Sequence, residues 1–296
     1  MSRWKAELAL GFNAVIWGTT FVLVKSALHQ VSPLLFLALR FSVATVALAV
    51  MFRGRWRRRA PDAPRVTARM VATGAMIGLF LFAGYLLQTL GLESTTAPKS
   101  AFLTGLATVM VPLLAALVYK IRPRISEVAG VLAATAGMGL MTLEGPIGSI
   151  SRGDLLTFGC AIAFAAHIVA TGHFAATVGY EILSITQIGA AALAALSLAC
   201  WVETPRIQWQ PLVIWAILGT GLLCTALAFT IQAWAQHYTT STRTALIYAL
   251  EPVVAWITSF CIAREGLSGQ AAAGAALILS GVLLVEMKPF QARPHL

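Results

Sequence analysis

The stretch QTLGLESTTAPKSA, which runs from Gln88 to Ala101, has a counterpart 144 residues further along the chain. The counterpart, from Gln232 to Ala245, reads QAWAQHYTTSTRTA. Both frames place a glutamine, a Thr-Thr pair, a basic residue, a small hydroxyl residue and an alanine at the same positions, so that Lys99 corresponds to Arg243. The absence of gaps between the two frames indicates an internal repeat rather than a chance likeness of apolar helices.

The composition of the chain identifies its broad class. Of its 296 residues, 58% are hydrophobic and 11% are charged, and the mean hydropathy is +0.81. Soluble domains are typically about 25% charged. A water-soluble fold could not bury this much apolar surface, so the sequence predicts an all-α integral membrane protein.

Apolar segments of about 20 residues are needed to cross a bilayer. The sequence predicts ten such transmembrane helices, and only the connection between the second and third is long. The predicted spans are residues 6–27, 33–52, 69–91, 97–119, 126–143, 153–174, 180–201, 211–236, 241–263 and 267–287.

Lysine and arginine predict the orientation of these helices, because cytoplasmic loops carry an excess of both. Most of the basic residues, including the run RGRWRRRAPDAPR from Arg53 to Arg65, fall on one side. Both termini are therefore predicted in the cytoplasm. The net charge of +10 is then mainly a topology signal, and nucleic-acid binding is not expected.

The repeat offset divides the predicted helices into two sets of five. The same offset relates Gly130 to Gly274 and Gly137 to Gly281. Since five is odd, the second set must enter the membrane upside down. We therefore expect two inverted five-helix repeats, residues 1–146 and 147–296, which is the pattern of alternating-access transporters with a substrate site near the midplane.

Residues that would indicate an enzyme are not evident in the sequence. There is no HExxH motif, no GxSxG motif and no pair of aspartates at helical spacing, so we expect no catalytic residues. The four cysteines lie in apolar runs without a CxxC pair and are expected to be buried free thiols; they are Cys160, Cys200, Cys224 and Cys261. No metal site and no cofactor are expected.

Several motifs resemble a known family. These are WGTTFVLVKSAL, SPLLFLALRF, SAFLTGLATVMVPLLAAL, TALIYALEPVVAWITSF and REGLSGQAAAGAALILSGVLLVE. Together they are similar to the drug/metabolite transporter superfamily, in its ten-helix EamA branch, over nearly the whole chain. The resemblance implies an inner-membrane carrier, often an exporter of amino acids, other metabolites or toxic compounds. Met110-Val111-Pro112 departs from the pattern, because no acid precedes that proline as Glu251 precedes Pro252.

Polar and aromatic residues recur at helical spacing within the predicted spans. Polar groups in a bilayer should face the bundle interior, so we expect these stripes to converge on a substrate cavity. Aromatic and amide groups suit an amphipathic, metabolite-sized cargo. The expected cavity residues are Asn13, Trp17, Thr20, Arg40, Tyr85, Gln88, Thr104, Phe164, His167, Phe229, Gln232, Tyr248 and Glu251.

The ionisable residues of this set have alternative interpretations. Glu251 either carries a proton or binds a substrate ammonium, or it hydrogen-bonds freed backbone on another helix and only shapes the kink at Pro252. Arg40 either grips a substrate carboxylate or pairs with a structural acid, and His167 is either a proton relay or a packing residue. Lys99 and Arg243 lie near predicted helix ends, where snorkelling accounts for their charge.

The sequence thus predicts a small-molecule transporter that works by alternating access, with the lipid bilayer as its environment. Export of amino acids or related metabolites is the leading expectation. Efflux of cationic drugs is the main alternative, and an intramembrane enzyme is a distant one. Proton coupling, uniport and exchange remain open, as does the choice between monomer and dimer.

Overall fold

The computed structural model describes residues 3–57, 66–95, 97–120, 122–142, 151–254, 257 and 269–286. Regular structure in these ranges is helical, apart from one isolated antiparallel bridge between Val31 and Ile207. The predicted all-α class is therefore confirmed. Part of the arginine-rich loop, the end of the ninth predicted span and Cys261 lie outside the described residues.

The helices of the first 146 residues are α1 to α7. Their bounds are α1 Arg3–Gly18, α2 Phe21–Leu28, α3 Pro33–Arg57, α4 Ala68–Leu92, α5 Ala97–Gly105, α6 Ala107–Tyr119 and α7 Ile125–Thr142. The later helices include one π-helical segment, π1. Their bounds are α8 Arg152–Val178, α9 Tyr180–Val202, α10 Pro211–Gly219, π1 Thr220–Leu227, α11 Ala228–Ala235, α12 Ser241–Tyr248 and α13 Gly269–Glu286.

Six of the described helical segments are long and apolar enough to cross a membrane by themselves. They are Pro33–Gly54, Ala68–Leu92, Phe102–Tyr119, Arg152–Val178, Tyr180–Val202 and Pro211–Ala235. Two shorter apolar helices, Ile125–Leu140 and Gly269–Leu284, lie where the fifth and tenth spans are predicted. Large apolar side chains on the outer surface, such as Leu117 at 75% and Leu193 at 69% exposure, fit contact with lipid.

The first predicted span is not one continuous helix. It is divided into α1 and α2 at Thr19 and Thr20, and each threonine hydroxyl donates to the backbone carbonyl three residues earlier. Threonine side chains that bond nearby carbonyls compete with the helical backbone pattern. The uninterrupted helix expected over residues 6–27 is therefore wrong at this point.

The ninth predicted span is also interrupted, as the proline in it suggests. Helix α12 ends at Tyr248, and the amide of Leu250 then bonds the carbonyl of Ile247 at 3.0 Å in a tighter turn. Helical geometry resumes over residues 251–254. Pro252 has no N–H to donate to the Tyr248 carbonyl, which accounts for the break.

Helices α7 and α13 cross through a reciprocal pair of glycine contacts. A Cβ atom placed on Gly137 would lie 2.5 Å from the carbonyl oxygen of Gly274. A Cβ atom placed on Gly281 would likewise lie 2.5 Å from the carbonyl oxygen of Gly130. The repeat offset exchanges these two contacts, because it relates Gly137 to Gly281 and Gly130 to Gly274.

The first threonine of the Thr-Thr pair in each repeated frame contacts an acid near the start of another helix. Thr95 Oγ1 donates to Asp154 Oδ1 of α8 at 2.6 Å. Its counterpart, Thr239 Oγ1, donates to Glu7 Oε1 of α1 at 3.1 Å. The two frames therefore make equivalent contacts at their respective helix ends.

Two expectations about individual residues are wrong. Arg243 does not snorkel to an exposed position, because it is only 4% exposed and its guanidinium pairs with Glu7. Cys200 is exposed rather than buried, because it lies near the end of α9 on the outer surface. Cys160 and Cys224 are buried free thiols, as expected.

Candidate functional site

Six of the expected cavity residues form one aromatic cluster in the bundle interior. Trp17 lies 4.8 Å from Tyr248 and 5.4 Å from Phe229 between ring centroids. Tyr85 lies 5.2 Å from Phe164 and 6.1 Å from Phe229. His167 joins the cluster through an edge contact with Phe229 at 5.4 Å. The rings come from α1, α4, α8, α11 and α12, so both predicted halves of the chain contribute.

The cluster is positioned by hydrogen bonds from α1 to the irregular backbone of the eighth span. Trp17 Nε1 donates to the carbonyl of Cys224 at 2.9 Å, and the Asn13 amide donates to the carbonyl of Ala228 at 2.8 Å. A π-helix shifts the backbone pairing and makes carbonyls accessible to side chains. The amide of Asn13 also lies 3.3 Å from the Tyr248 hydroxyl, which links the two ends of the cluster.

Arg40 enters the same region from α3. Its guanidinium lies over the Tyr85 ring, 4.3 Å from the centroid, and Nη2 donates to the Tyr85 hydroxyl at 3.0 Å. Its Nε donates to Thr225 Oγ1 of π1 at 2.7 Å. Arg40 is 4% exposed. Within the described chain it has no carboxylate partner, so the structural ion pair that the sequence left open does not form there.

Glu251 lies beside this cluster and is half-buried. Its carboxyl interacts electrostatically with the hydroxyls of Tyr85 and Tyr248 and with the thiol of Cys224. The described residues include no hydrogen-bond or ion-pair partner for it. The arrangement therefore places one cationic and one acidic side chain at a shared aromatic surface.

Four expected cavity residues lie in contacts outside the aromatic cluster. Gln88 bonds Thr104 at 3.2 Å, and Thr104 lies 3.8 Å from the sulfur of Cys160. Gln232 bonds Gln236 at 3.0 Å, on the side of the bundle where α8 and α12 meet. Thr20 bonds the carbonyl of Trp17 and accepts from Cys224, so it borders the cluster through the backbone of Trp17.

His167 has a buried amide partner that sequence reasoning missed. His167 Nε2 lies 2.9 Å from Gln187 Oε1, and both side chains are at most 1% exposed. Gln187 Nε2 is buried and has no hydrogen-bond partner among the described residues. A glutamine in the middle of an apolar run, here that of α9, was the signal available in the sequence.

Thr225 is the second missed residue. It accepts from Arg40, and its hydroxyl donates to the carbonyl of Thr220, five residues earlier, at 2.8 Å. Threonine within an apolar span commonly bonds its own helix. The sequence therefore offered no reason to connect Thr225 with Arg40.

The chemistry of these residues suits the binding of an organic molecule. Aromatic rings supply an apolar surface, Arg40 supplies donors for an anion, and Glu251 supplies an acceptor for a proton or a cation. No group of three or more His, Cys, Asp or Glu side chains that could hold a metal ion occurs among the described residues.

Comparison with known proteins supports the same class. The model of the EamA-like transporter family matches residues 4–143 and again residues 151–287. A protein of Archaeoglobus fulgidus named as an uncharacterized transporter is 33% identical over 97% of this chain and 88% of its own length. The uncharacterized transporter YvbV of Bacillus subtilis is 25% identical over 97% of this chain and 93% of its own length.

The fold also matches a solved structure. A protein crystal structure with 22% sequence identity has a TM-score of 0.79 and covers 97% of this chain and 98% of that chain. At this identity the likeness concerns the fold alone. The family match, by contrast, extends over most of the sequence, so the chain belongs to the EamA-like transporter family, within the drug/metabolite transporter superfamily.

Proposed function

We propose that this protein exports amino acids or related small metabolites across the cell membrane by alternating access. The observation that carries the proposal is the aromatic cluster of Trp17, Tyr85, Phe164, Phe229 and Tyr248. Rings from both predicted halves meet there beside Arg40 and Glu251. A cargo held between two halves can be exposed to either side when the halves rock against each other.

Inverted repeats and ten spans are part of this proposal. The double family match, the reciprocal glycine contacts of α7 with α13 and the equivalent Thr95 and Thr239 contacts support it. Residues 1–146 and 147–296 would form the two repeats, with both termini in the cytoplasm. Each half would then contribute one wall of the site.

Transport in proteoliposomes tests the function. Purified protein is reconstituted, and the vesicles are loaded with amino acids, nucleobases, polyamines or cationic dyes, with and without a pH gradient. We expect selective movement of amino acids or close analogues. If none of these compounds crosses faster than in protein-free vesicles, the proposed function is wrong.

The orientation has a separate test, which uses single cysteines in a background lacking the native ones. Val66 and Trp209 are both exposed and lie on opposite predicted sides. A membrane-impermeant thiol reagent added outside intact cells should label Trp209→Cys but not Val66→Cys. The reverse labelling would show that the predicted orientation is inverted, and the proposal that the protein transports small molecules would still stand.

Efflux of cationic compounds is the second candidate, and Glu251 is the observation that favours it. A half-buried carboxyl beside aromatic rings is suited to an organic cation, because the ring faces also attract positive charge. Preferential movement of cationic dyes over amino acids in the same vesicles would favour this candidate.

A further inference from the structure

We propose that Arg40, held by Thr225 and Tyr85, forms the subsite that binds the carboxylate of the transported molecule. This inference rests on the proposed transport function and names the chemistry of one part of its site. It also assigns Thr225 and Tyr85, which hold the guanidinium, as positioning residues.

The energetic argument begins with the burial of Arg40. A guanidinium carries its charge at all physiological pH values, and an isolated charge in a low-dielectric interior is costly. Arg40 is 4% exposed, and its recorded partners, the hydroxyls of Thr225 and Tyr85 and the Tyr85 ring, are all uncharged. Such a charge is best stabilised by an anion in direct contact with it, and no carboxylate of the described residues makes that contact.

The geometry of the guanidinium shows where this anion binds. Nε and Nη2 are engaged with Thr225 and Tyr85, and both bonds lie along one edge of the planar group. Nη1 has no acceptor among the described residues. The end of the guanidinium, formed by Nη1 and the second N–H of Nη2, therefore remains for a ligand. Two parallel N–H donors match the two oxygens of a carboxylate.

The position of Glu251 argues for a singly charged anion. Arg40 and Glu251 both interact electrostatically with Tyr85 and Cys224, yet they form no ion pair with each other. The two charges therefore lie near the same aromatic surface without neutralising each other. The single Arg40 guanidinium would neutralise only one of the two charges of a phosphate dianion, and the nearby Glu251 would repel the other. The single charge of a carboxylate is balanced by the Arg40 guanidinium alone.

The surrounding rings define the rest of the ligand. Tyr85, against which Arg40 lies, packs edge-on against Phe164 and Phe229. A molecule whose carboxylate bonds Arg40 would place its body against these rings. The subsite therefore fits a monocarboxylate with an apolar or aromatic body, and an ammonium group on that body could approach Glu251.

The experiment compares acids with their uncharged amides. The probes are phenylalanine and phenylalaninamide, phenylacetate and phenylacetamide, and benzylphosphonate. Each competes with the cargo found in proteoliposomes, and each is tested for its shift of the melting temperature of purified protein. We expect wild type to bind each acid at least about tenfold more tightly than its amide. The reason is that a charge-assisted hydrogen bond is stronger than a neutral one by a free energy that corresponds to about this ratio of affinities or more.

Substitutions at Arg40 and its two partners measure how much the guanidinium contributes to the preference for acids. Arg40→Gln should reduce the ratio of acid to amide affinity to about one, and Arg40→Lys should retain part of it. Thr225→Val and Tyr85→Phe should lower the ratio several-fold by releasing one edge of the guanidinium. Arg53→Gln is the matched control, since Arg53 is exposed on the same helix α3 and should leave the ratio unchanged.

The outcomes separate this proposal from the transport function. Equal affinity for acid and amide in wild type overturns the carboxylate subsite even when transport is observed, and so does a preference for benzylphosphonate. If Arg40→Gln does not fold, the wild-type ratio and Arg40→Lys still decide the question. The absence of transport of any compound overturns the proposed function, and an acid preference in the melting shifts would still support the subsite.

Discussion

Arg243 Nη1 lies 3.1 Å from Glu7 Oε1, and this ion pair joins α12 to the first helix of the chain across more than two hundred residues. The Arg243 side chain is 5% exposed and that of Glu7 is 11% exposed. Thr239 donates to the same carboxylate oxygen, so the repeated frame binds Glu7 twice. The contact connects the two predicted repeats on the side where the amino terminus lies.

We expect this pair to contribute to stability. Removing one partner of a buried ion pair leaves a desolvated charge and typically costs about 3–5 kcal/mol. Glu7→Gln and Arg243→Gln should each lower the melting temperature by several degrees, and the double variant should lose less than the sum. Arg3→Gln is the control: Arg3 is 32% exposed and pairs with Glu7 at i,i+4, where a loss of about 0.5 kcal/mol is expected. Strict additivity of the two single effects would show that the pair is not coupled.

The glycine crossing of α7 and α13 should be intolerant of side chains. Gly137→Ala and Gly281→Ala would each bring a methyl group against backbone, where overpacking costs about 1–3 kcal/mol. Because the repeat offset exchanges the two contacts, we expect similar losses of thermal stability. Gly219→Ala is the matched control, since no described atom beyond the local helix backbone lies within 4 Å of its added Cβ. A loss at one glycine and none at the other would contradict the two-fold relation.

Phe164→Leu should weaken cargo binding more than it weakens the fold. Phe164 is half-buried and packs on Tyr85 at 5.2 Å, and aromatic pairs contribute about 0.5–1.5 kcal/mol beyond their buried area. We expect a rise in KM of about three- to tenfold for an apolar cargo, with little change in the maximal rate. Phe158→Leu, on the exposed face of the same helix, should leave KM unchanged. Equal effects of the two variants on KM would show that Phe164 is not part of the binding surface.

Glu251→Gln tests proton coupling. If Glu251 carries the exchanged proton, acid outside the vesicle should accelerate export in wild type, because protons entering through the site are exchanged for cargo leaving it. The amide cannot titrate, so the variant should transport at a rate independent of the gradient. Glu203→Gln is the control. Glu203 accepts a hydrogen bond from the Leu35 amide in the first turn of α3, away from the aromatic cluster. A gradient response that survives Glu251→Gln would assign coupling to another group or leave Glu251 a structural role.

Composition and periodicity were sufficient for the membrane class and for the positions of the apolar helices. They also placed Trp17, Tyr85, Phe164, Phe229 and Tyr248 on faces that meet. This succeeded because polar and aromatic residues in a bilayer must face the interior, so helical spacing alone restricts which residues can converge.

The partners within the site could not be predicted in the same way. Arg40 with Thr225 and His167 with Gln187 are pairs far apart in sequence, and each depends on how two helices are rotated against each other. The π turn of Thr220–Leu227 receives hydrogen bonds from Trp17 and Arg40 on neighbouring helices, and Asn13 bonds the next carbonyl, that of Ala228. The burial of Arg243 likewise required the position of Glu7.

By itself, the sequence determined that this chain is a helical membrane protein with an internal repeat, because hydropathy and a fixed offset are properties of local sequence. Only the tertiary structure decided which polar groups of the described residues have partners and which do not. The physical reason is that a hydrogen bond depends on atomic distances of about 3 Å. Helix periodicity gives the face on which a residue lies but not the rotation and depth that bring two faces to that distance.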